Sequence, residues 1–294
     1  MAKFSDLFLT EEKQAENIET VQPTIEAKPN KEPGCEDVDV FNFVNINQSF
    51  GNFKLFENFS LDIKDFSNRG QFISFIGKSG CGKTSLLKYL AGLSKPQDGK
   101  ILYYGKELTE KDRFPMIFQH YSSFEWMTVL ENVALPMKMK GIDKKTREDR
   151  AMKLLELVGL KGHEHKWAKT PPLSGGQLQR VALARCLATD SNIILLDEYS
   201  SGLDIFSKHS IQDTLLDVYY NSEQDPTFIN VSHDISECVY LSNRIYVFTA
   251  NPCQIHTVID IDFDVERRDS SIRNTKRYAE YVSLIEKIMN DVNS

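Results

Sequence analysis

The chain has 294 residues, 41% of them hydrophobic and 26% charged, with a formal net charge of −7. That size supports one large domain or a domain with an inserted subdomain, and the acidic balance disfavours a nucleic-acid binder, which needs a basic face for phosphates. No run of about 18 apolar residues occurs, so no membrane-spanning helix is expected, and the five cysteines (Cys35, Cys81, Cys186, Cys238, Cys253) lack paired spacing, a pattern of reduced thiols rather than of a disulfide framework or zinc site.

Residues 1–37 hold nine acids against four lysines, a net −5, which leaves the other 257 residues at −2. This acidic segment reads as a solvated, disordered tail, because it cannot bury enough surface to offset its ordering entropy. Its one apolar cluster is Phe4, Leu7, Phe8 and Leu9; Asp6, Glu11 and Glu12 interrupt it, which argues against a secretory leader and for a cytoplasmic protein. Order is expected from Val38. Phe41–Ile46 and Phe59–Ile63 read as short strands, and Gln71–Ile76 as a compact apolar strand. A glycine-rich turn then opens a helix over Lys83–Ala91, closed by Gly92 and Pro96. Pro115–Phe118 is another short strand.

From Gln119 to Pro172 the pattern is helical, with helices over Val129–Lys140 and Lys144–Val158. Alternation then resumes: helix Gly176–Ala188, strand Asn192–Leu196, helix Ile205–Tyr220, strand Thr227–Val231, helix Asp234–Leu241, strands Arg244–Thr249 and Ile255–Asp262. A polar linker, Glu266–Asn274, leads to an amphipathic helix over Lys276–Met289. Strands alternating with helices imply an α/β fold, a largely parallel sheet with helices on both faces. The expected divisions are the tail 1–37, a main domain 38–262 with a helical subdomain 119–188, and a linker and helix 263–294.

Gly77-Lys78-Ser79-Gly80-Cys81-Gly82-Lys83-Thr84 fits the phosphate-binding loop, between the strand and helix that this motif requires. Its glycines let backbone amides of 78–85, Ser85 included, wrap an anion at a helix N-terminus. Lys83 is expected on the β- and γ-phosphates, and the Thr84 hydroxyl on Mg²⁺. A bulky group alkylated onto Cys81 would be expected to occupy phosphate space. Ile193–Leu196 is an apolar strand that delivers Asp197 and Glu198 to the sheet's C-terminal edge. There Asp197 can hold Mg²⁺ through water, and Glu198 can polarise an attacking water as general base. Leu173-Ser174-Gly175-Gly176-Gln177 opens a helix that Ser174 can cap. It offers a second anion-binding helix end, surplus to one phosphate loop. His163 and His165 flank Glu164, but no third ligand makes a metal site of them.

The ordered set Gly77–Thr84, Gln119, Leu173–Gln177, Asp197-Glu198, Ser201–Asp204 and His233 resembles the ABC ATPase family over about residues 38–250. The resemblance implies a phosphate-loop core with a helical subdomain and a small antiparallel β region. It also implies a head-to-tail dimer, with each ATP held between the phosphate loop of one chain and the signature loop, Ser174–Gln177, of the other. It places Phe50 on adenine, with Phe53 and Phe56 as neighbours open to confusion with it. Gln119 becomes the loop glutamine that touches Mg²⁺ and the attacking water, Asp204 part of the loop crossing the dimer interface, and His233 the switch histidine on the γ-phosphate. Tyr199, where the family commonly has proline, and Ser200-Ser201 before Gly202 depart from the pattern.

Gln119–Val133 and Asn251-Pro252-Cys253-Gln254-Ile255 are similar to the nitrate/sulfonate/taurine importer ATPases. The resemblance implies membrane permease subunits as partners, docked near Tyr121–Met127 with Phe124 and Trp126 as anchors, and indirectly a solute-binding protein. The chain would sit peripherally on the inner face of the cell membrane. An ABC subunit for lipid trafficking or export stays open, as does a soluble non-transport ABC ATPase, although the latter predicts a long coiled coil or two nucleotide domains in one chain.

Overall fold

The computed structural model describes residues 38–65, 70–109, 111–120, 122–167, 173–222, 225–265 and 267–293. The acidic segment with its Phe4–Leu9 cluster lies outside the described residues, as does Tyr121.

Two sheets make the frame. The smaller is antiparallel, in the order β2-β1-β4-β5, from β1 (Val38–Phe50), β2 (Phe53–Asp65), β4 (Asp98–Tyr103) and β5 (Lys106–Glu107). The larger has the order β10-β9-β3-β8-β7-β6. Its members are β3 (Phe72–Gly77), β6 (Met116–Ile117), β7 (Ile193–Asp197), β8 (Thr227–Val231), β9 (Arg244–Phe248) and β10 (Ile255–Asp260). Five of these run parallel and only β10, at the edge, is antiparallel. Strands β3, β7 and β8 are buried along their whole length, which is why they read as unbroken apolar runs.

Helices α1 (Lys83–Leu90), α2 (Val129–Met139), α3 (Lys144–Leu157), α4 (Gly175–Leu187), α5 (Ile205–Asn221), α6 (Ile235–Leu241) and α7 (Lys276–Asn293) complete the fold. Val133, Met137, Leu155, Val181 and Leu183 from α2–α4 share one core with Phe72, Ile194 and Phe228 of the large sheet. The opposite face packs Phe75, Leu86, Leu87 and Phe248 against Phe41, Phe43, Phe56 and Phe59 of the small sheet. A third cluster seats Tyr281 and Ile285 of α7 on Cys238, Ile245 and Val247.

Two expectations change. Strands β4 and β5 were not foreseen: only Ile101 of β4 is buried, and its pairing partners lie far back in β1. The segment expected as a polar linker instead packs on the domain, with a 3₁₀ turn at Ser270–Asn274 and Ile272 buried. Buried Arg268 donates its guanidinium to the carbonyls of Ser242 (2.6 Å) and Ile261 (3.0 Å), which compensates the burial of its charge. Burial lowers its pKa. Among the described residues no helix is long and apolar enough to cross a membrane.

Candidate active site

Parallel strands end at one edge of a sheet, so the C-terminal ends of β3, β7 and β8 meet. The turn after β3 is the glycine-rich loop, Asp197 closes β7 with Glu198 following, and His233 lies two residues beyond β8. A cleft of about 300 Å³ opens there, lined by Phe50, Phe53, Ser79, Gly80, Gly82, Lys83, Thr84, Ser85, Glu198 and His233, with Leu55 at its base.

The loop closes on itself through a Cys81 N–H bond to the Lys78 carbonyl (3.2 Å). Lys83 is 4% exposed. Its ammonium donates to the carbonyls of Gly77 (2.9 Å) and Lys78 (3.1 Å), so the loop's own backbone solvates it. Thr84 Oγ1 donates to Asp197 Oδ1 at 2.8 Å. Burial holds the Asp197 carboxyl above its ordinary pKa against the Thr84 hydrogen bond, and the charge of Glu198 adds to the rise. His233 Nε2 lies 2.7 Å from Glu198 Oε1. Glu198 has a positive φ of 47°, and its N–H is fixed on the Val231 carbonyl (2.9 Å).

Phe50 (62% exposed) and Phe53 (43%) both face the cleft. Phe56 is buried beneath Gly82 and has no route to a ligand. The Cys81 side chain turns away from the phosphate space into the aromatic core, where it is 1% exposed. A group alkylated onto it would therefore disrupt the core rather than fill the loop, contrary to the sequence-based expectation.

Gln119 stands apart from the cleft, exposed, with Nε2 3.3 Å from Ser201 Oγ. Asp204 caps α5, accepting from the N–H groups of Phe206 and Ser207 (both 3.0 Å), and the hydrogen bonds to Ser207 lead in lowering its pKa. At the start of α4, Ser174 and Gln177 form a capping box. The Gln177 N–H donates to Ser174 Oγ (3.2 Å) and the Ser174 N–H to Gln177 Oε1 (2.9 Å). Gln177 Nε2 also lies 3.2 Å from His163 Nε2. Ser174, exposed, and its neighbours Gly175, Gly176 and Gln177 lie outside this chain's own cleft.

Three connecting residues escaped the sequence reading. Buried Gln179 donates to the Tyr199 carbonyl (2.7 Å), one residue beyond Glu198. Arg185 donates to the Ser122 carbonyl (2.8 Å) and hydroxyl (2.6 Å) and lies over the Phe124 ring. Asn132, fully buried, accepts from the Phe124 N–H (2.7 Å) and donates to the Phe124 and Thr128 carbonyls (both 3.0 Å). The available signal was a polar side chain on an apolar helix face, between Val129 and Val133.

The glycine-rich loop with Lys83, the carboxylates Asp197 and Glu198, and His233 thus gather at one edge of a largely parallel sheet flanked by helices. The family described as ABC transporter matches residues 56–201. An aliphatic sulfonates import ATP-binding protein of Bacillus cereus is 38% identical over 75% of this chain and 84% of its own length. A taurine import ATP-binding protein of Roseobacter denitrificans is 37% identical over 80% of this chain and 85% of its own length. A solved dimeric ABC cassette in a post-hydrolysis state, bound to ADP and Pi, matches with a TM-score of 0.62 and 28% identity over 76% of this chain and 99% of that one. The chain belongs to the ATP-binding proteins of the ABC transporter family, and it is an ATPase.

Proposed function

We propose that the chain hydrolyses ATP as half of a head-to-tail pair and so drives a membrane permease that imports a small sulfur- or nitrogen-containing solute, such as a sulfonate, taurine or nitrate. The observation that carries this reading is the division of the machinery. The cleft has phosphate loop, Glu198 and His233, with Asp197 behind them on Thr84, while the exposed cap of α4, Ser174, stands outside it. A Cβ on Gly176 would meet its nearest neighbour, Ser207, at an ordinary 3.4 Å. Among the described residues nothing therefore demands glycine there, whereas a phosphate approaching the helix end from outside would. A second copy, or a homologous ATPase, supplies that phosphate. The dimeric state of the solved cassette and the import names of the two relatives support the same reading.

Phe50 stacks on the adenine, and the backbone from Gly77 to Ser85, through Lys78, Ser79, Gly80, Cys81 and Gly82, cradles the phosphates. Lys83 exchanges the Gly77 and Lys78 carbonyls for phosphate oxygens, a stronger, charge-assisted bond. Mg²⁺ takes few protein ligands and fills its shell with water and phosphate oxygens. The Thr84 hydroxyl and Asp197 carboxylate, already in contact, fit that donor set, with Gln119 as a further oxygen. The chemistry Mg²⁺ would supply there, when bound, is neutralisation of phosphate charge. Glu198 accepts the proton of the attacking water, and His233 holds that carboxylate and faces the γ-phosphate. Ser174, Gly175, Gly176 and Gln177 of the other copy close the site, with Asp204 at the shared surface.

The permease docks on the segment bearing Phe124 and the 68% exposed Trp126, which keeps the chain on the inner face of the membrane. A solute-binding protein takes part only indirectly. Co-expression with the permease encoded nearby, followed by uptake assays with taurine, alkanesulfonates and nitrate, tests the reading. Uptake should require intact Glu198; ATP-dependent export, or no transport from an ATPase-active complex, sinks it.

A further inference from the structure

The turn joining β9 to β10 folds back over the end of β3, where the phosphate loop begins. It is closed by a bond from the Thr249 N–H to the Gln254 carbonyl (2.9 Å), and the Cys253 N–H donates to the Leu55 carbonyl (2.9 Å). In register, Gly77 of β3 lies beside Phe248 of β9. The Cys81 sulfur sits in the same corner: a Cβ on Gly77 would meet the Phe248 carbonyl at 2.7 Å and Cys81 Sγ at 3.1 Å. Two segments far apart in the chain thus bring Cys81 and Cys253 into one buried corner, close enough for each thiol to perturb the pKa of the other. Lys83 Nζ lies 3.6 Å from the Cys81 sulfur. Both cysteines are buried, 1% and 0% exposed, in the aromatic core between the sheets. Hydrolysis uses only the backbone of Cys81 and nothing of Cys253.

We propose that Cys81 and Cys253 are a redox pair that closes into a disulfide beneath the phosphate loop and switches ATP hydrolysis off. The oxidant class is a peroxide, with hydrogen peroxide the simplest. The Cys81 thiolate attacks one peroxide oxygen and the O–O bond breaks; the departing hydroxide takes the former thiol proton and leaves as water, so Cys81 becomes a sulfenic acid. The Cys253 sulfur then attacks the Cys81 sulfur and displaces hydroxide, which takes the Cys253 proton and leaves as a second water. Two thiols are oxidised to one disulfide and one peroxide is reduced to two waters; a dithiol reverses the step. The surroundings assign the parts. The neighbouring Cys253 thiol lowers the Cys81 pKa, and the Lys83 ammonium, 3.6 Å from the Cys81 sulfur, favours a thiolate there. Cys81 beside that ammonium is the attacking thiolate and Cys253 the thiol that resolves it.

The closed bond would tie the loop to the β9–β10 turn and turn the thiol that now faces Lys83 into a disulfide sulfur that can carry no negative charge. That lysine has to leave the Gly77 and Lys78 carbonyls to reach phosphate, so a tethered loop opposes its movement. The proposal rests on the ATPase reading for its effect on rate, and on chemistry alone for the bond.

The test uses the full-length protein titrated with hydrogen peroxide. The intact mass should fall by two hydrogens, and non-reducing digestion should give a peptide joining Cys81 to Cys253. ATPase activity should fall by about tenfold or more, since misplacing a positioning group by ~1 Å costs up to ~10²-fold, and dithiothreitol should restore it. Cys253→Ser and Cys253→Ala should keep the untreated rate and resist peroxide, or lose activity only to sulfenic acid at Cys81 without the joined peptide. Absence of the joined peptide in inactivated wild type overturns the proposal, and so does a disulfide that leaves the rate unchanged. An untreated, reduced enzyme without ATPase activity would instead count against the hydrolytic reading.

Discussion

Replacing Gly82 by alanine tests how tightly the phosphate loop is built. Gly82 has φ +111°, a region L side chains rarely adopt, and a Cβ there would lie 2.6 Å from Phe56 Cζ and 3.0 Å from Cε1. Phe56 is itself buried, against Phe59 and Tyr89, so the ring cannot step aside. The left-handed backbone costs a non-glycine residue roughly 1–2 kcal/mol, and overpacking a filled core adds about 1–3 kcal/mol. The loop relieves the combined strain by moving Gly82 and Lys83, so the cost appears in ATP binding. Expressed wholly as affinity, about 2–5 kcal/mol is a weakening of roughly 30-fold to a few thousandfold. Gly80 is the internal control: its φ is +78°, but a Cβ there meets nothing within 4 Å. Gly80→Ala therefore bears the backbone cost alone, about 5- to 30-fold. Calorimetric titration of ATP into each variant, beside a thermal melt, separates affinity from stability. Adding Phe56→Leu to Gly82→Ala should recover part of the loss. Equal affinities for the two alanine variants would refute the argument, because they would show the Phe56 contact to be slack.

The remaining predictions concern the borders of the site. Arg268→Ala leaves the carbonyls of Ser242 and Ile261 buried without their donors and should cost about 2–5 kcal/mol in chemical denaturation, with ATP affinity in the folded fraction unchanged; an unaltered midpoint would show that water replaces the guanidinium. Asn132→Ala frees the loop that carries Phe124 and Trp126, and Trp126→Ala removes its exposed anchor. Both should leave ATP binding near wild type while lowering co-purification with the permease, and unchanged assembly and uptake in both would move the coupling surface elsewhere.

The sequence was most informative where one strand's chemistry is local. The loop Gly77–Thr84 and the pair Asp197-Glu198 each sit at the end of an unbroken apolar strand, so motif and strand identify each other. The Ser174 cap was also visible, because a cap needs only local residues, while its closure into a box by Gln177 came with the structure. What stayed hidden depends on partners distant in the chain. Strand β4 is half exposed and owes its existence to β1. Arg268 looks like a solvated linker charge until the carbonyls it saturates are brought to it. Phe50 and Phe53 could not be separated by pattern, and both do face the cleft, whereas burial removes Phe56. The Cys81–Cys253 contact was invisible for the same reason: scattered spacing says nothing about which thiols a parallel sheet brings to one edge.

The central claim is that two chains share each ATP, with Glu198 as the base that ends the shared state. Glu198→Gln keeps the shape of the side chain but not its basicity, and should lower turnover by about 10²–10⁴-fold. The most direct measurement is the molar mass of this variant by light scattering after gel filtration, with and without Mg-ATP, together with the ATP retained per chain. The account predicts a monomer without nucleotide and a dimer with ATP, carrying one ATP per chain and dispersed again by Ser174→Arg, which blocks the exposed helix end. A variant that binds ATP with full affinity yet stays monomeric at every protein concentration, in the absence and presence of the permease, would contradict it.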